Sequence, residues 1–351
     1  MIGKATAKRS DKFIRALSSH KEVIIVTHNN PDPDAIAAGW AVRELISRRL
    51  KTPVRLIAGG DVIRAENRLM LEVLNPPLEL IKHLQPNSLA GIVLVDCNIG
   101  MTNHIATEVH TSPTAVIDHH NAGKKIKRLN YSDIRSNAAA TASITASYLR
   151  EQGIEPNPKL ATAILYAIET ETAGGESAYS SLDLSIITWL TPRADRKLLA
   201  EIRHAPVEQT YYAEITLAFQ NSRIYDDTVF CILPHASSPE IVAEVADLLI
   251  RCNTINRVFC GAVVRADMYI SVRTTESGGN ATELVRVILK GLGNGGGHSR
   301  RAGGRIILSP KAQRVPKSLE CTLRNNWLTS CNISRSHATR LVSRQKIMSN
   351  L

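Results

Sequence analysis

The chain has 351 residues, 44% of them hydrophobic and 21% charged, which is ordinary for a soluble globular protein and long enough for two domains of unequal size. Its formal net charge of +11 favours anionic partners, with nucleotides and nucleic acid first among them. No window approaches the roughly 18 uninterrupted apolar residues of a membrane span, and the basic N-terminus lacks the apolar stretch of a secretory signal, so we expect a cytoplasmic protein with no membrane partner.

The first half of the chain, residues 10–192, predicts an α/β domain built on a parallel sheet. Apolar runs rich in β-branched residues alternate with turns and amphipathic helices, which is the pattern of parallel strands joined by crossover helices. Fully apolar runs such as Ile92–Val95 are typical of strands buried on both faces. The predicted strands are EVIIVTH, VRLIAG, AGIVLVDCN and TAVIDHHN, and the predicted helices lie near residues 35–50, 63–74, 138–152 and 158–169.

A second, smaller α/β domain is predicted over residues 223–310, after a helical connector at 193–222 that Pro206 interrupts. Its elements are the strand TVFCIL, the helix PEIVAEVADLLIRC, the paired strands RVFCGAVVRAD and MYISVRT, the helix ATELVRVILKGL, and a glycine-rich turn leading into RIIL. Residues 311–351 follow as a basic extension, which is either a solvated end or a nucleic-acid-binding arm. We therefore expect two α/β domains.

Histidine and carboxylate side chains follow the predicted strands of the first domain. Functional groups of an open parallel sheet gather at its carboxyl edge, because the loops there lie over one shared crevice. We therefore expect residues far apart in sequence to form one cluster. Its candidates are His28, Asp32 and Asp34 after the first strand, Asp96 after AGIVLV, Asp118, His119 and His120 at the end of TAVIDHH, and Glu169 and Glu171 in the acidic segment AIETET.

These residue types suit a hard or borderline divalent metal, Mn²⁺ or Mg²⁺ above all, with iron or zinc as alternatives. The six cysteines lie far apart without a CxxC pair, which argues against a thiolate zinc cluster and a disulfide framework. The ligands suffice for two ions, and a carboxylate shared between them lets a bridging hydroxide attack a clamped phosphate. Asp96 is the candidate bridge. Alternatively, an Asp after a strand forms a turn or caps a helix, as Asp34 would for a helix beginning at Ala35.

The segment GLGNGGGHSRRAGG, Gly291–Gly304, predicts an anion-binding loop in the second domain. Three successive glycines let backbone N–H groups approach a ligand closely and form a concavity for an anion, and the following histidine and arginines add positive charge. Alternatively, the glycine-rich segment is a solvated turn, and Arg273 in the preceding strand-like segment is an ordinary surface residue. The substrate-binding candidates are Gly295, Gly296, Gly297, His298 and Arg301, together with Arg273 in the strand-like YISVRT.

Together these motifs resemble the DHH/DHHA1 phosphoesterases, a family named for an Asp-His-His triplet that stands here at residues 118–120. The motifs occur in the family's order, namely HNNPDPDA, VDCN, IDHHN, LYAIETET and GGGHSRRAGG, and the resemblance covers about residues 15–310. It implies a two-domain cleft enzyme. The DHH domain of this family holds two Mn²⁺ ions, and the smaller DHHA1 domain grips the substrate.

The resemblance also implies a role for each candidate. One ion would be bound by His28, Asp32 and Asp96, and the other by Asp34, Asp96, His119 and Glu171. Among the catalytic residues Asp118, His120 and His298, it places His120 at the scissile phosphate, while Arg273 and the loop Gly295–His298 would hold the terminal nucleotide.

The sequence departs from the family pattern at two of these positions. The family usually has Asp where this chain has Glu171, and a small residue where it has Arg301. Glu171 still ligates a metal, but its longer side chain changes metal affinity or choice, and Glu169 competes for the role. Arg301, if it faces the cleft, favours an additional substrate phosphate.

The resulting hypothesis is a Mn²⁺-dependent phosphodiesterase or phosphatase that degrades short oligoribonucleotides or linear dinucleotides to mononucleotides. Alternative substrates known in the family are 3′,5′-bisphosphoadenosine, cyclic dinucleotides and inorganic polyphosphate or pyrophosphate. Two non-enzymatic alternatives are a nucleotide-binding regulator that kept the cleft, and a nucleic-acid-binding protein that uses the basic tail. The sequence leaves the substrate, the metal and the formation of a homodimer open.

Overall fold

Two sheets, one in each of two units, organise the chain. The computed structural model describes residues 8–85, 89–108, 112–120, 129–172, 179–297, 299–309, 312–334 and 337–342. The first unit is Met1–Pro206 and the second is Val207–Leu351. The predicted connector at 193–222 therefore supplies one helix to each unit, and the boundary falls at the proline that interrupts it.

The first unit contains the predicted parallel sheet. Within the described residues it has six strands in the order β3-β2-β1-β4-β5-β6, all parallel. Sequence analysis missed β3, which is three residues long, and β6, which lacks an apolar run. The strands are β1 Glu22–Val26, β2 Val54–Ala58, β3 Leu78–Leu80, β4 Ala90–Val95, β5 Ala115–Asp118 and β6 Tyr131–Ile134.

The helices of the first unit bury the faces of this sheet. They are α1 Arg9–Leu17, α2 Pro33–Arg49, α3 Ala65–Leu74, α4 Thr141–Glu151, α5 Pro158–Glu171, α6 Ser181–Leu190 and α7 Arg196–Arg203. The first half of α2 is built of small residues and is buried, and it packs against α4 and α5. Gly39 of α2 fits against β2 because a Cβ there would come within 2.4 Å of Leu56. None of the helices in the described ranges has the length and apolar character needed to traverse a bilayer.

The second unit holds a mixed sheet in the order β11-β12-β10-β9-β8-β7-β13, in which only β8 and β9 pair in parallel among the described strands. Its strands are β7 Arg223–Tyr225, β8 Thr228–Leu233, β9 Arg257–Val264, β10 Asp267–Thr274, β11 Asn294–Gly297, β12 Arg301–Ile307 and β13 Thr339–Arg340. Its helices are α8 Gln209–Asn221, α9 Pro239–Leu249, α10 Ala281–Ile288 and α11 Lys317–Ser330. The predicted glycine-rich turn is instead the edge strand β11, because its glycines face glycines of β12 and the two backbones approach closely.

Part of the C-terminal segment, helix α11, belongs to the second core. Helix α11 buries Leu323, Trp327 and Leu328 in the same apolar cluster as Phe259. The indole of Trp327 donates a hydrogen bond to the carbonyl of Val229 at 3.1 Å. In the sequence, the arginines of the tail indicated a solvated segment. Three apolar residues on one helix face are nevertheless enough to anchor the helix.

A buried carboxylate ties α1, β6 and α4 together in the first unit. Asp133 accepts hydrogen bonds from Arg9 at 2.6 Å, from Nη2 of Arg135 at 2.7 Å and from the Tyr148 hydroxyl at 2.6 Å. Burial raises the pKa of Asp133, but these donors outweigh it and hold that pKa below its usual value. Asp133 therefore stabilises the fold as an anion.

Replacing Trp327 tests whether the C-terminal helix belongs to the second core. We expect Trp327→Ala to reduce the free energy of unfolding by about 3–5 kcal/mol, because the substitution removes a fully buried indole and its hydrogen bond. Urea unfolding followed by circular dichroism measures the loss. The half-buried Trp189, which lies under the Arg193 guanidinium, is the matched control and should cost less on the same change. Equal costs for the two variants would contradict the assignment.

Replacing Asp133 tests the buried carboxylate through its pH dependence. Its folded pKa is depressed, so its contribution is present above the unfolded value near 4 and is lost as pH falls through the folded pKa. We expect Asp133→Asn to cost about 2 kcal/mol at pH 7. The gap to the wild type should narrow in thermal unfolding as pH falls below about 4. A gap that stays constant over that range would show that Asp133 acts only through packing.

Candidate metal centre

The strand order places the predicted site residues side by side. Strands β1, β4 and β5 are neighbours, with Val26 paired to Leu94 and Val95 paired to Ile117. Chain order reverses between β1 and β4, and ligands of open parallel sheets bind at such a reversal, outside the carboxyl ends of the strands. His28, Asp96 and Asp118 stand at these three strand ends, so the predicted cluster exists.

The first group of side chains is His28, Asp32 and Asp96. The Nε2 atom of His28 lies 3.5 Å from Oδ2 of Asp32 and 3.5 Å from Oδ2 of Asp96. The other ring nitrogen, Nδ1, donates to the carbonyl of Asn29 at 3.0 Å, which leaves the Nε2 lone pair for the cluster when the ring is neutral. These atoms lie close enough together to hold one metal ion.

Asp32 also caps the N-terminus of α2, a role that the sequence offered as the alternative for Asp34. Its Oδ1 accepts from the Ala35 amide at 3.0 Å and caps α2, with Pro33 in the first helical turn. Burial opposes the charged form of Asp32, but His28 outweighs it and lowers the pKa to about 2. In the absence of metal, burial disfavours a charged His28 as well, yet Asp32 and Asp96 raise its pKa well above the ordinary value.

Asp96 lies between the two groups. Its Oδ2 faces His28, as described, and its Oδ1 lies 3.7 Å from Nε2 of His119. The ring of His119 approaches the Ala138 carbonyl with Nδ1 at 3.4 Å, so its Nε2 also turns toward the carboxylates. Asp96 has φ of 57°, a left-handed conformation that Asp tolerates better than most residues, and strain of this kind concentrates at functional sites.

The side chain of Asp34, a residue of the first turn of α2, binds the start of α4 and does not cap its own helix. Its two oxygens accept from the amides of Thr141 at 2.8 Å and Ala142 at 2.7 Å. The hydroxyl of Thr141 in turn donates to Oδ1 of Asp96 at 2.7 Å. Sequence analysis assigned no role to Thr141. In the sequence, Thr141 is a threonine near the start of a predicted helix, and such a residue is too common to indicate a site without the fold.

The third member of the triplet is oriented by the first. Oδ1 of Asp118 accepts from Nδ1 of His120 at 2.8 Å and from its amide at 3.1 Å, and Oδ2 accepts from Asn98 at 2.8 Å. Burial by itself lowers the pKa of His120. The hydrogen bond to Asp118 and the charge of Asp96 outweigh burial and raise this pKa to about 9. In the absence of metal, these carboxylates therefore favour the protonated form of His120. Asn98, which donates to Asp118, was not among the predicted site residues.

His120 can be grouped by distance with Asp96 and His119 as a metal site. The ring nitrogen that lies 3.7 Å from Asp96 is Nδ1, and it is already engaged by Asp118 at 2.8 Å. His119 offers its Nε2 to both Asp34, at 3.8 Å, and Asp96, and is the better ligand.

The chemistry of the donor set fits a divalent cation. Burial, and then the charges of Asp96, Glu171 and Asp32, raise the pKa of Asp34 well above its ordinary value. A divalent cation would remove this repulsion, and carboxylate oxygens with imidazole nitrogens suit Mn²⁺ or Mg²⁺.

Glu171 and Glu169 have different surroundings. Glu171 is the last residue of α5, and its charge acts on both Asp34 and His120. Glu169 pairs with Arg203, whose Nε lies 3.0 Å from Oε2 of Glu169. Of the two, Glu171 is therefore the residue at the cluster, and Glu169 is occupied elsewhere.

The second unit brings three of the six predicted substrate-binding residues to one pocket of about 360 Å³. Arg273 and Arg301 stand directly opposite each other on β10 and β12, and both line the pocket with Gly297. A Cβ on Gly297, where φ is 150°, would come within 2.4 Å of the Arg301 carbonyl, so a side chain does not fit there. Gly295 and Gly296 lie in the same strand, and His298 is outside the described residues.

Arg273 does not have the ordinary surface position that was its alternative in the sequence. It is buried, and its Nε donates to Oδ1 of Asp247 at 2.5 Å. Its Nη1 donates to the Ser271 hydroxyl at 2.6 Å and to the Val272 carbonyl at 3.1 Å. These partners fix the guanidinium plane at the pocket wall, and Arg301 is the more available cation.

The family model described as DHH family, N-terminal domain, matches residues 22–168. An uncharacterized protein of Methanocaldococcus jannaschii is 29% identical over 287 residues, which are 82% of this chain and 58% of that protein. The chain thus corresponds to little more than half the length of this relative.

Two solved structures share the fold at low sequence identity. An exopolyphosphatase-related protein of Bacteroides fragilis has a TM-score of 0.74 at 14% identity, covering 95% of this chain and 99% of that chain. RecJ of Thermus thermophilus, solved in complex with Mn²⁺, has a TM-score of 0.55 at 14% identity and covers 92% of this chain and 54% of that chain. The matched segment 22–168 contains His28, Asp96 and the Asp-His-His triplet, so this part of the chain is similar to the N-terminal domain of the DHH family.

Proposed function

We propose that the chain is a metal-dependent phosphoesterase that hydrolyses short oligoribonucleotides or linear dinucleotides to mononucleotides. The observation that carries the proposal is the position of Asp96, whose two oxygens face two different histidines. A carboxylate in this position suits a bridge between two cations, and paired cations are characteristic of phosphoryl-transfer sites.

The donor set divides between two ions in this proposal. His28, Asp32 and Asp96 would hold the first, and Asp34, Asp96, His119 and Glu171 would hold the second, with Mn²⁺ preferred and Mg²⁺ as the alternative. When bound, the cations supply an activated water for attack on phosphorus and neutralise the phosphate. The protein contributes orientation, because hydrogen bonds from His28 and His119 to backbone carbonyls turn their Nε2 atoms toward the carboxylates.

His120 stabilises negative charge on the reacting phosphate. Its Nδ1–H is committed to Asp118, and Nε2–H of the protonated ring is the group that would donate to a phosphate oxygen. A fixed cation aimed at the charge that develops in the transition state needs no reorganisation during the reaction. Asp118 is therefore a positioning residue for His120.

The pocket of the second unit binds the terminal nucleotide in this proposal. Its volume of about 360 Å³ is within the range of small-molecule sites, and two arginines on facing positions of neighbouring strands favour an anion. Asp247 balances Arg273, which leaves Arg301 to contact an additional phosphate. The role of His298 near the reaction centre stays a prediction from the family resemblance.

The proposal is tested with purified protein, Mn²⁺ and a panel of substrates: di- to pentaribonucleotides, 3′,5′-bisphosphoadenosine, cyclic dinucleotides and polyphosphate. We expect mononucleotides from the short RNAs. Asp96→Asn should reduce the rate by at least about a thousandfold, because loss of the shared charge removes several kcal/mol of transition-state stabilisation. Thermal unfolding of the metal-free variant should show no loss of stability, since the substitution relieves repulsion on Asp34.

The exposed Glu72 of α3 provides the control for this experiment. Glu72→Gln makes the same chemical change away from the cluster and should leave the rate unchanged. Tight nucleotide binding without turnover of any substrate would contradict the enzyme and favour the regulator. Turnover of polyphosphate alone would keep the metal centre and overturn the RNA substrate.

The hydroxyl of Thr141 is expected to support metal binding through Asp96. Thr141→Val removes the donor but keeps the shape of the side chain and the backbone amides that hold Asp34. We expect the Mn²⁺ concentration for half-maximal activity to rise about 10- to 100-fold, as for other residues that orient metal ligands, with a smaller effect on kcat at saturating metal. Thr141→Ser, which restores the hydroxyl, should recover the wild-type value. Activation of Thr141→Val at wild-type Mn²⁺ concentrations would remove Thr141 from the site.

A further inference from the structure

The second unit contains a larger pocket, of about 690 Å³, that shares no lining residue with the pocket around Arg301. We call it the C-terminal pocket and define it by four cations, Arg223, Arg314, Lys317 and Arg324, with Glu320 among them. Its volume is in the range of ligand-binding sites. The family resemblance ends near residue 310, before three of these four cations, and assigns no function to this pocket.

The fold builds this pocket from separate parts of the chain. Strands β7 and β8 contribute an apolar wall that includes Tyr225 and Phe230, both largely buried. Helix α11 presents Lys317, Glu320 and Arg324, whose spacing of three and four residues puts them on one face. The burial of Trp327 on the same helix fixes that face against the second core.

The cations of the C-terminal pocket lack the partners that arginines have elsewhere in this unit. Arg257 pairs with Asp227 at 2.9 Å and Arg273 with Asp247 at 2.5 Å. Among the described residues, by contrast, no carboxylate oxygen lies within 4.0 Å of a charged nitrogen of Arg314, Lys317 or Arg324. Glu320 alone does not balance the pocket, so positive charge is concentrated there.

A fifth cation increases this concentration. Arg340 of β13 is the register partner of Arg223 on β7, and the side chains of directly opposed residues share one face of the sheet. Arg223 itself donates only a long hydrogen bond of 3.3 Å to the Gln220 carbonyl among its described contacts. Like charges on directly opposed residues destabilise the sheet. With a polyanion bound, the same two charges would stabilise the complex.

We infer that the C-terminal pocket binds adjacent phosphates of a single-stranded RNA. The cations come from β7, from the segment before α11, from α11 and from β13, so they suit several phosphates spaced along a strand better than one compact anion. The apolar wall of Tyr225, Phe230 and Ile232 offers a surface for the base or ribose of the same strand. This binding requires no metal and is independent of the proposed hydrolysis.

The test measures binding of a fluorescein-labelled oligouridylate of about a dozen nucleotides to the full chain by fluorescence anisotropy, with EDTA present to prevent hydrolysis. The variant combines Arg314→Gln, Lys317→Gln and Arg324→Gln. We expect it to bind at least about tenfold more weakly at low salt. The slope of log Kd against log [KCl] should fall by about 2, because each lost phosphate contact to a single strand contributes about 0.7.

The matched control removes three exposed cations from the first unit, through Lys12→Gln, Arg15→Gln and Lys21→Gln, and should keep most of the affinity and the slope. Equal weakening by both triple variants, or RNA binding that the pocket variant leaves unchanged, would overturn the inference. Binding of inorganic polyphosphate but not of RNA, lost in the same pocket variant, would overturn RNA as the occupant. If circular dichroism shows that the pocket triple variant is unfolded, Arg314→Gln alone, at an exposed position, should still lower the slope by about 0.7.

Discussion

The arrangement of the first unit depends on one carboxylate, Asp96, at the end of the central strand β4. Its left-handed backbone turns the chain directly after the strand, and its two oxygens face histidines from the neighbouring strands on both sides. That position exists only because β4 lies between β1 and β5. The apolar core beneath, with Val26, Leu94 and Val116 fully buried, holds the three strand ends in register.

A helix terminus completes this centre. The first amides of α4 hold Asp34, and the hydroxyl of Thr141 holds Asp96, so one helix end orients two carboxylates that repel each other. The unsatisfied N–H groups and the dipole at a helix N-terminus favour negative charge. The packing of α2 against α4 therefore positions the site as well as filling the core.

The second unit shows how a few apolar residues decide the place of a basic segment. Trp327 and its neighbours bury one face of α11, and the charged face then lies beside β7 and β8. Part of the excess of positive charge that the composition revealed thereby lies at one pocket. In the same sheet, the glycines of β11 allow a close backbone approach to β12 and leave Gly297 and Arg301 at the wall of a different pocket.

The sequence by itself determined the parallel sheet, the mixed second unit and the residues gathered at the carboxyl edge, because hydrophobic periodicity and the rule that strand ends share one crevice are local signals. Tertiary structure decided what those signals cannot reach. It made Asp32 and not Asp34 the cap of α2. It paired Glu169 with Arg203, while Glu171 acts on the cluster. It also gave Arg273 a partner in Asp247 and placed helix α11 of the basic tail in the second core. Each of these outcomes depends on which hydrogen-bond donors and apolar faces meet across long sequence separations. Local patterns in one amino-acid sequence do not specify those contacts.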